Sequence, residues 1–591
     1  MHIFIDPNPG DPAKLWAERE RLFGLPRSGW ADYNTKLISK GGGVFERSAK
    51  SIELSDEIKA LTGLTGTSAT PDELIHALLK AQAELLWFGG IGTYVRGTLE
   101  TDRDVGDRTN DAIRITADQL RVSVVGEGAN LGITQAARIE FGAKGGRINT
   151  DAIDNSAGVD SSDHEVNIKI LLSEAMRRGA LPRGERNTLL ASMTDDVAAH
   201  VLAHNIAQTG ALSLAEATAR EDLPALERLM LRLEARGVLD RDVEGLPSSG
   251  QMAERTATKG TFTRPEMAVL LAWSKIALFD DIVASDLPDD PYFKPVLEAY
   301  FPAALGKYSD VMDSHRLKRE IIATVLANRM LDAAGPVFLL QLREAGGGDS
   351  AACVRAYEIL RAALQLPDLV DRISADEDVS AAGRTALLLD VNQRVGQLAL
   401  ALLRRGVSGS MDELVSYFEK GCTGLRQGAD ERATAHESTR LDRRTRQLVR
   451  AGATEALATE ISSLGLIAQA VELIDVAADM KVDVAEVMTV FNELGSALRI
   501  DRLVSRARDV RREMSHWERQ AVDGQLGNIC SAQAAATRHL IESKADTADY
   551  LKQRRSQADA LSVLLRGLDL GRNWSFAKFT LAGDAVRDVL A

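Results

Sequence analysis

Two short apolar runs, Leu85-Leu-Trp-Phe88 and Val122-Ser-Val-Val125, empty directly into glycines, Gly89-Gly-Ile-Gly92 and Gly126-Glu-Gly128. An apolar run of this length that stops at glycine reads as a buried strand followed by a tight loop. A helical stretch precedes the first of them. Thr70-Pro-Asp-Glu73 opens it, because Thr70 can accept from a free amide, Pro71 fits the first turn and Glu73 can bond back. Leu74, Ile75, Leu78 and Leu79 then line one face. His2 to Ile5 reads as a further strand, which Asp6-Pro-Asn-Pro-Gly-Asp-Pro12 breaks. The alternation of strand, glycine loop and helix predicts an α/β fold with a partial Rossmann-like parallel sheet, whose ligands bind at the carboxyl ends of the strands. Both glycine loops sit at such ends.

The pattern changes after Gly179-Ala-Leu-Pro182, where strand signals give way to helical periodicities. One helix starts near Asp222-Leu-Pro224, buries Leu226, Leu229, Met230 and Leu233, and stops at Gly237. Another opens at Thr263-Arg-Pro-Glu266, and a third runs from Val391 through Leu398 and Leu402 to Gly406. A chain of 591 residues exceeds what one core serves. The expected division is a partial nucleotide-binding domain over 1–180 and an all-helical region over 181–591. Gly346-Gly-Gly348 and Gly406-Val-Ser-Gly409 are candidate subdomain boundaries within the second.

A formal charge of -14 opposes a polyanionic partner, so no nucleic acid is expected. Cys353, Cys422 and Cys530 are far apart and lack CxxC spacing, which argues against a disulfide framework or a cysteine zinc site. No stretch approaches the roughly 20 apolar residues of a membrane span, and no secretory signal is legible. A cytoplasmic protein acting on small molecules is the expectation.

The most informative stretch is Val124-Val-Gly-Glu-Gly-Ala-Asn-Leu-Gly-Ile-Thr134, followed by Arg147-Ile-Asn-Thr-Asp-Ala-Ile-Asp-Asn-Ser-Ala-Gly-Val-Asp-Ser-Ser162. Its glycines let a ligand approach the backbone, and the Asn130 amide can donate and accept. The plainer alternative is that the glycines only make turns and Asn130 takes a left-handed conformation.

Glu127-Gly-Ala-Asn130, then Asn155-Ser-Ala-Gly-Val159 with Ser162, resemble in order and setting two motifs of glutamate dehydrogenases. Ile38-Ser-Lys-Gly-Gly-Gly-Val-Phe45, Gly89-Gly-Ile-Gly-Thr-Tyr94 and Asp151-Ala-Ile-Asp-Asn155 are similar to the large bacterial NAD-dependent branch, and the resemblance extends through the helical region at Thr263-Arg-Pro-Glu266. It implies NAD as cofactor, L-glutamate and 2-oxoglutarate as substrate and product, and a homo-oligomer. By position, it implies that Asn130 and Asn155 face the nicotinamide-ribose side of the cofactor, that Gly89 and Gly90 let the dinucleotide lie against a strand end, and that Val159 and Ser162 meet the substrate side chain, with the serine hydroxyl bonding the distal carboxylate. Ser156-Ala157 departs from the smaller classes, which carry alanine and glycine there.

Two readings of Ser162 stand side by side, because Ser162-Asp-His-Glu165 also fits a capping box. Asp160, Asp163, His164 and Glu165 are adjacent residues of a new helix that point in different directions, which makes a shared ion a poor fit. His164 is expected at the surface or behind a ligand contact. His200 and His204 are four apart but lack the glutamate of HExxH, so helix packing is favoured. For Lys40 a contact with a cofactor phosphate stands against a solvated side chain, the more frequent outcome, and His315-Arg-Leu-Lys-Arg-Glu320 is expected to form a solvated face.

No G-x-G-x-x-G is legible ahead of these motifs. The resemblance implies that this turn, the substrate-domain lysine and the acid-base aspartate belong to a preceding segment. No catalytic residue is therefore nominated, and the polypeptide alone is expected to be inactive and to bind NAD weakly. The alternative from another class is a non-catalytic helical interaction or regulatory module that keeps a nucleotide-fold remnant.

Overall fold

The structure is a computed structural model that describes residues 2–258, 260–510, 514–570 and 574–591. Its internal contacts divide the chain into two units. One comprises Met1–Val166, Thr194–Leu212 and Leu239–Leu270, and the other Asn167–Met193, Ser213–Val238 and Leu271–Ala591.

The first unit is α/β. β1 (His2–Ile5) pairs antiparallel with β2 (Gly43–Glu46), and β3 (Ile52–Glu53) with β4 (Ser68–Ala69). β5 (Ala83–Phe88) runs parallel to β8 (Val122–Glu127), with Leu85 opposite Val124 and Phe88 opposite Glu127. β6 (Val95–Arg96) runs parallel to β7 (Ile115–Thr116). The helix Pro71–Leu79 starts as its sequence dictates: Thr70 accepts from the Glu73 amide, and Glu73 accepts from Thr70 N–H at 2.8 Å. Ile3, Ile5, Ile52, Leu54, Ile58 and Leu74 form one core around β1 to β4. Phe88, Val95, Ile115, Val125, Ile133 and Phe141 form another beneath the parallel strands.

The expectation that Leu85 to Phe88 is buried throughout is corrected here. Phe88 is buried, but Leu85 is 55% and Trp87 59% exposed. Alternate residues of a strand point to opposite faces, and only the Phe88 face of β5 has a core to meet. Trp87 lies across the next strand instead. A Cβ added at Gly126 or Gly128 would come within 2.5 Å of the indole, so the side chain opposite must be absent at both positions.

The second unit is all helical among the described residues. Its longest helix, His516–Ser543, opens with a Ser515–Glu518 capping box and shares a core with the helix Phe576–Leu590. Val522, Ile529, Leu561, Phe579 and Val586 are buried there, and the Tyr550 hydroxyl donates to the Leu590 carbonyl at 3.0 Å. The expected helices appear as Leu223–Ala235 and Ala381–Arg405, the latter ending at Gly406. Gly347, in a left-handed conformation, closes the helix Phe338–Gly346. Among the described residues no single helix is long and apolar enough to cross a membrane.

His315 departs from the expected solvated face. It is 5% exposed and lies in the turn before the helix Lys318–Ala334, beside the Phe301 ring. The Leu317 N–H donates to its Nδ1 at 3.1 Å, which leaves Nε2 to donate to the Asn167 carbonyl at 3.1 Å. A ring that accepts at one nitrogen is neutral, and burial pushes its pKa below the ordinary imidazole value. The unfolded chain takes up a proton near pH ~6.5, whereas the folded ring resists it to lower pH. This stabilisation is therefore complete above about pH 6.5 and is lost as pH falls through the folded value. The unfolding temperature of the wild type should fall more steeply on acidification from roughly pH 6.5 to 5 than that of His315→Gln. Parallel slopes for the two proteins would remove His315 from the account.

Candidate functional site

The carboxyl ends of β5 and β8 carry both glycine loops. Gly89 and Gly90 follow β5 in exposed positions, and an added Cβ would meet nothing within 4 Å at Gly90 and only the Trp87 edge at 3.7 Å at Gly89. Protein packing therefore does not demand glycine at either. Gly92 is different: its φ of +137° favours glycine, and an added Cβ would lie 2.6 Å from the Asn110 amide. It fixes the turn that stacks Tyr94 on Phe88, with ring centroids 5.8 Å apart.

β8 ends at Glu127, whose carboxylate is fully buried and held by a bidentate pair from Arg138, at 2.7 and 2.8 Å. Burial pushes the Glu127 carboxyl above its ordinary value, and the Arg138 guanidinium works against that rise. Arg138 also reaches Asp151 at 3.2 Å. The one-turn helix Asp151–Asp154 is thereby tied to the strand end. Asp154 accepts from the Glu127 amide at 3.0 Å and from the Asn149 side chain at 2.8 Å, while Asp151 accepts from the Leu131 amide at 2.8 Å. Arg264 completes the set by donating to Asn149 at 2.8 Å.

This buried framework brings the two asparagines together. Asn155 Nδ2 donates to Asn130 Oδ1 at 2.9 Å, across 25 residues of sequence. Asn130 is exposed and Asn155 half-buried. The left-handed conformation considered for Asn130 falls instead on Leu131, at φ +59°. The Leu131 amide is turned toward Asp151, and that bond offsets part of the cost, about 1–2 kcal/mol, of a left-handed non-glycine residue.

The helix Ser156–Arg177 begins immediately after Asn155. The capping reading of Ser162 is thereby overturned, since Ser162 lies in the second turn, where the amides bond within the helix. Val159 and Ser162 are both exposed and three apart, so they share one helical face. The unusual Ser156 hydroxyl is accommodated: Asn205 donates to it at 2.9 Å and to the Ile153 carbonyl at 2.8 Å.

His164 is also corrected, because it is fully buried. Asp160 and His164, one helical turn apart, face the helix Thr194–Thr218 and its pair His200 and His204. His204 Nδ1 lies 2.8 Å from Asp160 Oδ2, and His164 Nε2 lies 3.6 Å from Asp160 Oδ1. Asp163 and Glu165 are exposed, as their neighbouring positions on a helix required. The spacing of His200 and His204 is legible in the sequence, but Asp160 and His164, expected to point in different directions, share one face because they are four apart on the helix. The buried Glu127–Arg138 pair was missed likewise, and its only signal is an acidic residue at a strand end with an arginine on the following helix.

Elsewhere, Lys40 is solvated, with its side chain 93% exposed and Nζ 3.0 Å from Glu57. The three cysteines are free thiols, and burial pushes Cys353 and Cys422 up to about 12, which removes them as nucleophiles at neutral pH.

Two family models match the chain: "Bacterial NAD-glutamate dehydrogenase, catalytic domain" over residues 1–215 and "Glutamate dehydrogenase, C-terminal" over residues 259–588. The NAD-specific glutamate dehydrogenase of Halomonas elongata is 42% identical over 544 residues, which cover 92% of this chain and 34% of that protein. That of Pseudomonas aeruginosa is 40% identical over 599 residues, covering 100% and 37%. That of Mycobacterium tuberculosis is 46% identical over 363 residues, covering 60% and 22%. The chain thus spans about a third of the length of the first two relatives.

Proposed function

The chain belongs to the bacterial NAD-glutamate dehydrogenase family, and on that premise we propose that it carries the cofactor-facing asparagines and the substrate-facing helix of an enzyme that oxidatively deaminates L-glutamate. NAD, when bound, would accept hydride from the α carbon of glutamate. The resulting iminium takes up water and releases ammonia, which leaves as ammonium, so that glutamate, NAD+ and water become 2-oxoglutarate, ammonium, NADH and a proton.

The observation that carries this reading is the Asn155–Asn130 hydrogen bond at the carboxyl end of β8, where a parallel pair of strands offers its ligand face. With Asn130 Oδ1 engaged by Asn155, the Asn130 amide still has its NH2 donors and Asn155 its Oδ1 acceptor, which suits a polar ribose and carboxamide. Gly89 and Gly90, exposed and not required by packing, let the dinucleotide approach the end of β5. On the helix after Asn155, Val159 packs on the substrate methylenes and the Ser162 hydroxyl donates to the distal carboxylate. The framework of Glu127, Arg138, Asp151 and Asp154 keeps the asparagines in place without touching either ligand.

NAD titration by calorimetry and glutamate-dependent NADH formation test the reading. Asn130→Ala and Asn155→Ala should each weaken NAD binding by about 10-fold, the worth of one to two polar contacts. Ser162→Ala in the active enzyme should raise KM for glutamate by about 10- to 100-fold while leaving NAD affinity unchanged, because a carboxylate loses a charge-assisted hydrogen bond. Unchanged NAD affinity in both asparagine variants would refute the cofactor assignment. Partner capture by a chain with no measurable NAD affinity would favour the non-catalytic module.

A further inference from the structure

A second constellation lies beside the first and is not used by that chemistry. Asp160 and His164 stand one turn apart on the helix Ser156–Arg177, and His200 and His204 one turn apart on Thr194–Thr218. Each i, i+4 spacing puts both side chains on one face, and the two faces meet. One ligand atom from each of Asp160, His164 and His204 falls within 4.8 Å of the other two. The His164 ring lies nearly parallel to that of His204, centroids 5.8 Å apart, and 5.6 Å from that of His200.

We propose that Asp160, His164 and His204 form a binding site for a divalent zinc-class ion, joining the start of the Ser156–Arg177 helix to the Thr194–Thr218 helix. Two imidazoles and one carboxylate are a donor set for zinc, and three protein ligands leave the fourth tetrahedral position to water. The mixture of nitrogen and oxygen disfavours calcium and magnesium, which take oxygen shells. The ion takes the place of the hydrogen in the 2.8 Å contact between His204 Nδ1 and Asp160, and the ring proton moves to Nε2. His204 Nδ1 lies 2.8 Å from Asp160 Oδ2 and His164 Nε2 3.6 Å from Asp160 Oδ1, with all three ligand atoms within 4.8 Å of one another, so side-chain rotation must draw the donors toward the roughly 3.3 Å edge of a tetrahedral site with ~2.0 Å bonds. The helices are already held in register beside the site, where Asn205 donates to Ser156 and to the Ile153 carbonyl. A preorganised pair of helices lowers the cost of assembling the ligands.

The test uses the untagged protein, stripped with a chelator, dialysed, and titrated with zinc chloride by calorimetry and with cobalt chloride by absorption. The expected result is one saturable zinc ion lost on substitution at the site, d–d absorption of tetrahedral intensity for cobalt, and a rise in unfolding temperature with zinc. His204→Ala is the primary variant because that side chain is 42% exposed and its truncation leaves the buried His164 in place. It should weaken this binding event by about 100-fold or more, since even indirect supports of a ligand are worth about 10- to 100-fold. Asp160→Asn, which keeps the shape, should lower affinity and change the cobalt spectrum. Zinc binding of equal affinity and stoichiometry in wild type, His204→Ala and Asp160→Asn would overturn the proposal, as would octahedral cobalt in the wild type. So would the absence of saturable binding, which would leave Asp160 and His204 a simple hydrogen-bonded pair.

Discussion

Arg138→Met is expected to destabilise the protein by about 3–5 kcal/mol, the cost of stranding a buried carboxylate without its partner. Glu127 has no exposed surface, and both its oxygens are engaged by the guanidinium. Methionine keeps an unbranched, flexible stem at this position but offers no donor. Chemical denaturation followed by far-UV circular dichroism measures the loss, and a change under 1 kcal/mol would contradict the buried pair. The double variant Glu127→Leu with Arg138→Met should recover most of the stability, because exchanging a buried ion pair for apolar groups is often near neutral. It should not recover ligand affinity. Arg138 also holds Asp151, which receives the Leu131 amide, so the turn after Asn130 stays loosened when the charges are gone. A double variant that is stable yet weak for NAD would separate the framework's two roles.

Phe579→Ala is the second large effect. The ring is fully buried in the helix Phe576–Leu590, among Val522, Ile529, Leu561 and Val586. Truncation loses the transfer energy of the ring and leaves a cavity that rigid helices fill only in part, which costs about 3–5 kcal/mol. Phe579→Leu should cost less than half as much, since it keeps most of the volume. The midpoint of guanidinium denaturation gives both values. An alanine variant no less stable than the leucine variant would show that the core does not close around this ring.

Much of this was legible in the sequence, for local reasons. The Thr70 and Thr263 helix starts, the stops at Gly237 and Gly406, and the glycine loops after β5 and β8 all depend on residues within a few positions of one another. The resemblance carried by Glu127-Gly-Ala-Asn130 and Asn155 singled out two side chains that the fold brings within hydrogen-bonding distance. The burial of β5 was misjudged because an apolar strand does not declare which of its faces has a neighbour, and here only the face with Leu86 and Phe88 does. Ser162 fits a capping box in sequence, but Ser156 starts the helix a turn and a half earlier, with its hydroxyl already bonded by Asn205. His164 and His204 are 40 positions apart, and only the packing of two helices relates them. Glu127 and Arg138 are linked by a strand-to-helix return that no periodicity reports.

Asn205 has a consequence for how these positions can drift. Its single NH2 group serves two acceptors, the Ile153 carbonyl and the Ser156 hydroxyl. The carbonyl is backbone and survives any substitution at 153. Exchanging Ser156 for alanine gives up one of the two bonds and keeps the other. Loss of the amide at 205 removes both at once and leaves a serine hydroxyl and a carbonyl to find new partners. The two positions are therefore unequal: a change at 156 costs one bond, whereas a change at 205 costs both.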